Sequence, residues 1–184
     1  MFQIVLLSLA VISISFLCSL LEAVFLSISP AYVAVSVKEE RRSGRLLEHL
    51  KENINRPISA ILTMNTLSHT LGSAAIATLV HEQFNNTVVT VVSVILTFCI
   101  LIFSEIMPKI IGATYWKQLA PFTAYTVQVM IFGLYPFVRI SEFIGKLFNE
   151  PESASVTREE MIMAAELGVD EGTLHKKESA IIKN

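Results

Sequence analysis

The chain has 184 residues, 53% of them hydrophobic and 16% charged, with a mean hydropathy of +0.59. That balance places it in the membrane class and excludes an ordinary soluble domain. The formal net charge is −2, with ten Lys/Arg against eight Asp/Glu over positions 1–148 and four against eight over 149–184, so nothing points to a nucleic-acid surface. Cys18 and Cys99 lie in apolar runs and read as small core residues, without a disulfide framework.

Met1 to Ser29 is a long apolar stretch, too long for a signal-peptide core, and predicts a first spanning helix. Only Glu22 interrupts it. At helical spacing Ser15, Ser19 and Glu22 share one face, with Ser8 and Ile12 above them, so their polar atoms form a stripe that must face protein or water. Pro30 ends the helix or opens a turn. Ala31 to Arg56 mixes six basic residues with Glu39, Glu40, Glu48 and Glu52, which predicts a charged helical hairpin at the membrane surface, broken near Ser43-Gly44. The basic residues place it on the cytoplasmic side by the positive-inside rule.

Pro57 to Val80 predicts the second span, with Pro57 in a first helical turn. Asn65, Ser68, His69 and Gly72 fall on one face, and Ser68 with Gly72 forms a small-xxx-small pair that lets another helix approach closely. The loop His81 to Thr87 lacks Lys and Arg and is expected outside; His81-Glu82 has no second His at zinc-protease spacing. Val88 to about Met107 predicts the third span. With the N-terminus outside and about 1.5 Å of rise per residue, Glu22, Asn65 and Glu105 all fall in the cytoplasmic half.

The third span closes on Phe103-Ser-Glu-Ile-Met-Pro-Lys-Ile-Ile-Gly112. A charge at the centre of a spanning helix costs roughly 2.5–3.5 kcal/mol on insertion scales, so Glu105 needs a wet cavity, a partner or a place near the helix end. Pro108 has no amide hydrogen and is expected to end the helix and free the Ser104 carbonyl. Carboxylate, hydroxyl and carbonyl oxygens in one turn are ligands that Mg2+ prefers. The plainer reading of Glu105 is an ion pair with Lys109, four residues on. Glu22 reads as a charge at the site or as a partner for Lys109.

Leu119 to Phe148 carries Gly133 and Pro136 and predicts two short amphipathic helices on the cytoplasmic surface, broken near Tyr135-Pro136. Asn149 to Ser155 reads as a linker. Thr157 and Glu160 make a capping box for a short helix to Leu167, and a second helix reaching Asn184 without a cap suggests a larger parent with a further domain. The expected fold class is therefore all-α membrane protein, with three spans, a juxtamembrane belt and an acidic helical tail.

Three passages resemble the transmembrane domain of the CorC/CNNM family of magnesium transporters: Ser19-Leu-Leu-Glu22-Ala, Leu62-Thr-Met-Asn65-Thr-Leu and Glu105-Ile-Met-Pro108-Lys109. The resemblance implies a homodimer in the lipid bilayer of the cell membrane and sodium-coupled Mg2+ export. It also implies that the tail precedes a pair of ATP-binding CBS domains, absent here. Many relatives carry an Asn-Asn pair and a further Asn in the second span, where this chain has Asn65-Thr66 and then His69.

The site expected on this basis has Ser19, Glu22, Asn65, Ser104 and Glu105 as metal-binding residues. Ser15, Met64, Ser68, His69, Gly72, Pro108 and Lys109 line it. Mg2+ is the cargo and Na+ the counter-ion. His69 alone reads as a helix-contact residue rather than a ligand. A rival reading is a non-transporting dimeric anchor or magnesium sensor acting through the tail. No nucleophile, base and orienting group occur together, so an enzyme is not expected.

Overall fold

The computed structural model describes residues 2–83 and 86–147, and every element in them is helical. The chain is an all-α membrane protein. The expectations for the tail, including the Thr157–Glu160 capping box, lie outside the described residues.

The first predicted span is α1 (Phe2–Ser27). After it Ser29, in an extended conformation, caps α2 (Pro30–Lys38), accepting the Tyr32 amide hydrogen at 3.3 Å. Pro30 takes the first helical position, where its missing donor leaves nothing unpaired. α3 (Arg42–Glu52) packs back on α2 as the predicted hairpin, but the break lies at residues 39–41 rather than at Ser43-Gly44. The reversal is made by Glu40, whose φ of 56° is left-handed. Gly44 sits inside α3 because the helices touch there: a Cβ on it would stand 2.6 Å from the Ser36 carbonyl carbon.

Lys51 of α3 closes the C-terminal end of α1. Its ammonium donates to the Phe25 carbonyl at 2.8 Å and lies 4.5 Å from the centre of the Phe25 ring, so a cation satisfies a last-turn carbonyl. Partial burial holds the Lys51 pKa below its ordinary 10.5. The folded state thus binds fewer protons than the unfolded state just under that value, and stability rises with pH through that window. Lys51→Met is expected to abolish this rise and to cost about 1 kcal/mol through the lost cap, read from thermal unfolding in detergent across pH.

The second predicted span is α4 (Asn55–Gln83), 29 residues long. It runs antiparallel to α1, with Gly72 against Val11 and Asn65 beside Ser15. α5 (Asn86–Cys99) leads into a π-helical segment, Ile100–Ile106, and then α6 (Met107–Thr114). This course runs parallel to α1, since Ser104 meets Ile12 and Gly112 meets Leu20 and Ala23. Among the described residues two helices are long and apolar enough to cross a membrane singly, Phe2–Ser27 and Val89–Thr114. α4 exceeds both in length, but Asn65, His69 and its many hydroxyl residues make it more polar, and it packs along α1.

Pro108 does not end the third span, which continues to Thr114. The reason is the widened turn before it. The Met107 amide already bonds five residues back, to the Ile102 carbonyl, so the ring enters a helix that has left α register. The carbonyl deprived by Pro108 is that of Phe103 in π register and that of Ser104 in α register.

α7 (Trp116–Gly133) and α8 (Tyr135–Leu147) meet at 90°, so the chain breaks where Tyr135-Pro136 predicted. Joined, the pair would also be long and apolar enough for one bent span. Pro121 lies inside α7 without interrupting it. An Arg56–Glu142 ion pair at 2.6 Å and a Ser59–Ser141 hydroxyl contact at 2.5 Å tie α8 to the start of α4.

The main core is gathered at the C-terminal end of α1. Cys18, Leu21, Val24, Phe25 and Ile28 pack with Leu47 and Leu50 of α3, Ala60 and Ile61 of α4, Ala124 and Val127 of α7 and Val138 of α8. The N-terminal half of α1 has a small cluster of Val11 with Ile76 and Val80 of α4. Phe2, Val5, Leu6 and Leu9 are exposed beyond it, as are Val91, Val94, Ile95 and Phe98 of α5. Exposed apolar side chains at both edges suit a lipid surround.

Candidate functional site

Midway between these two cores the helices exchange apolar for polar contacts. Ser15 of α1 is buried, and its hydroxyl donates to Asn65 Oδ1 of α4 at 2.8 Å. The same oxygen contacts His69 Nε2, one turn along α4. His69 Nδ1 in turn faces Glu105 Oε1 of the π-helical segment at 3.7 Å. Four polar side chains from three helices therefore meet at one level: Ser15, Asn65, His69 and Glu105.

Backbone contacts hold this level in place. Ser68 donates to the Val11 carbonyl and Ser104 to the Ile12 carbonyl, each at 3.3 Å, so α4 and the π-helical segment grip α1 from two sides. Close packing at Gly72 brings α4 in, since a Cβ there would stand 2.3 Å from Val11 Cγ2. The predicted small-xxx-small face is thus used within the chain. Within the widened turn at Ile100–Ile106 Ser104 meets α1 and Glu105 faces His69 of α4; such π segments recur at functional sites.

Glu22 is not part of this cluster. It lies about 10 Å further along α1 by helical rise, where Lys109 pairs with it at 3.4 Å. The sequence allowed that pairing, and it leaves Glu105 facing His69 rather than Lys109. Ser19 lies between the two levels, fully buried, and its hydroxyl has no hydrogen-bond partner among the described residues. A buried hydroxyl without a partner costs free energy, so this one marks a place where a ligand would be welcome. The Ser104 hydroxyl gives its proton to α1 and keeps its lone pairs. Met64 is half-buried beside the main core, and Pro108 is buried.

Among the described residues no group of three or more His, Cys, Asp and Glu side chains is placed to hold a metal. The cluster has two such residues, His69 and Glu105. Its other donors are hydroxyl and amide oxygens, which are hard-cation ligands. A cavity of about 90 Å³ lies elsewhere, between α4 and α5, lined by Ile76, Val80, Val89, Leu96 and the hydroxyl residues Ser93 and Thr97. None of the predicted site residues lines it.

The family model of the Cyclin M transmembrane N-terminal domain, CNNM, matches residues 6–178. The chain belongs to this family. Relatives of the CNNM domain include the UPF0053 protein sll1254 of Synechocystis, 29% identical over 91% of this chain and 49% of its own length. The UPF0053 inner membrane protein YfjD of Escherichia coli is 27% identical over 60% of this chain and 26% of its own. A UPF0053 protein of Haemophilus influenzae is 24% identical over 70% of this chain and 31% of its own. The chain spans half or less of the length of these relatives.

The sequence put Glu22, Asn65 and Glu105 in one half of their helices and named Ser15 and His69 as lining; the structure brings Asn65, Glu105, Ser15 and His69 together and sets Glu22 apart. His69, read from the sequence as a helix-contact residue, is the residue that joins α1 to the π-helical segment. The available signal was its position four residues after Asn65, on the same stripe and at the same spacing that put Ser15 and Ser19 together.

Proposed function

We propose that this chain is the membrane domain of a divalent-cation transporter, with Mg2+ as a cargo bound between the three long helices. One observation supports this most: α1, α4 and the π-helical segment each bring oxygen donors to one level, as Ser15, Asn65 and Glu105, with the partnerless Ser19 hydroxyl next to them. Hydroxyl, amide and carboxylate oxygens suit Mg2+, and a single carboxylate lets it leave again. Glu22, neutralised by Lys109, shapes the potential at the inner mouth. Family membership supports cation transport. Export coupled to Na+, an outside N-terminus and a homodimer complete the reading.

Flux is the test. The full chain in liposomes, with a Mg2+-sensitive dye inside and an imposed Na+ gradient, is expected to move Mg2+ against its own gradient at a rate well above empty vesicles. No Na+-dependent difference from empty vesicles would remove coupled transport.

A second reading draws on a specific feature. The polar side chains pair with one another, helix to helix, and the cavity of about 90 Å³ lies away from them. That pattern favours a Mg2+ sensor or membrane anchor, for which calorimetry would register Mg2+ binding without flux.

A further inference from the structure

The contacts of His69 fit the tautomer with hydrogen on Nε2, and that tautomer raises a question about its other nitrogen. Ser15 has one hydroxyl proton and gives it to Asn65 Oδ1. The Ser15 oxygen also touches His69 Nε2 and in that tautomer accepts its hydrogen. In the neutral ring Nδ1 is then a bare acceptor, and it faces Glu105 Oε1, also an acceptor, at 3.7 Å. With a neutral ring two electron-rich atoms face each other, an arrangement relieved by a charged ring, which makes the contact an ion pair, or by a cation shared between them. The distance is longer than an N–H···O hydrogen bond, which brings its heavy atoms to about 2.7–3.2 Å.

A metal ion fits that distance. Imidazole nitrogen and carboxylate oxygen bind first-row divalent ions at about 2.0–2.2 Å, and two such ligands 3.7 Å apart subtend roughly 120° at a shared ion. A shift of a few tenths of an ångström reaches the tetrahedral angle. The other side of the ring already has what a ligating histidine needs, an acceptor on its remaining N–H that fixes tautomer and orientation. Asn65 Oδ1 keeps a second lone pair, and the Ser19 hydroxyl is free.

We propose that His69 Nδ1 is a metal ligand and that, with Glu105, it makes this site bind an imidazole-preferring first-row cation of the Zn2+ class more tightly than Mg2+. The inference rests on the cation-site reading above and extends its cargo. Mg2+ holds oxygen ligands and water, whereas affinity for a mixed nitrogen and oxygen set rises along the first-row series.

The test uses Zn2+ on the full, tag-free chain in which His49, His81 and His175 are replaced by Gln, so that His69 is the one imidazole left. X-ray absorption of the Zn2+-loaded protein is expected to show one Zn2+ per chain with imidazole scattering. Chelator competition is expected to show Zn2+ favoured over Mg2+, a preference that His69→Asn lowers at least tenfold along with loss of the imidazole signature. His69→Gln serves as the second variant should the Asn form fold poorly. An oxygen-only Zn2+ shell, or an unchanged preference in both variants, overturns the proposal while Mg2+ flux in liposomes leaves the transporter reading standing. Failure to bind either ion overturns both.

Discussion

Replacing Glu105 by Gln is expected to lower Mg2+ flux at least tenfold and to leave the protein folded. Among the described residues Glu105 is the one carboxylate at the level of Ser15, Asn65 and His69. The amide keeps the shape and one carbonyl oxygen, so the variant isolates charge. Two unit charges 4 Å apart interact by about 4 kcal/mol at an effective dielectric of 20, and a divalent ion doubles the term before desolvation offsets it. A net loss of only about 1.4 kcal/mol already weakens binding tenfold. Stability moves the other way, because a carboxylate is removed from a spanning helix. Unfolding in detergent should therefore occur at an equal or higher temperature than in the natural protein, while flux falls. Flux equal to the natural protein would remove Glu105 from the site.

Several features of that site were readable from residue order. Hydropathy gave the first and third of the three predicted spans, and a rise of about 1.5 Å per residue put Asn65 and Glu105 in the same half of their helices before any packing was known. Ser15 followed from the stripe it shares with Ser19 and Glu22. What escaped was fixed by close approach. Gly44 reads as a break because glycine breaks helices, yet here its missing Cβ admits the Ser36 backbone while Glu40 makes the turn. Pro108 reads as a stop because the rule for proline assumes α register, and a π turn is a property of how Ile100–Ile106 seats against α1, which the side chains alone do not announce. His69 reads as a helix-contact residue, and which helices it touches, at Ser15 and Glu105, is set by packing. Lys109 offered two partners, Glu22 and Glu105, and only the packing of α6 on α1 selects between them.

That packing gives the second large effect, at Gly112. α6 lies on α1 so closely that a Cβ on Gly112 would stand 2.9 Å from both Ala23 Cβ and the Leu20 carbonyl oxygen, and 3.3 Å from the Val24 amide nitrogen. Two of these three are backbone atoms of a packed helix, so the contact cannot be relieved by a rotamer change. Gly112→Ala is expected to destabilise the domain by about 1–3 kcal/mol, the range for overpacking. Ala23→Gly removes one of the close atoms and leaves the other two. The double variant should therefore recover part of the loss but not all, with a coupling of roughly 0.5–3 kcal/mol between the positions, measured as the change in unfolding midpoint across the four proteins. Loss of flux should accompany loss of stability, because displacing α6 also moves Lys109 away from Glu22 and carries the turn holding Glu105 with it. Strict additivity of the two substitutions would mean that α6 does not rest on α1 in this register.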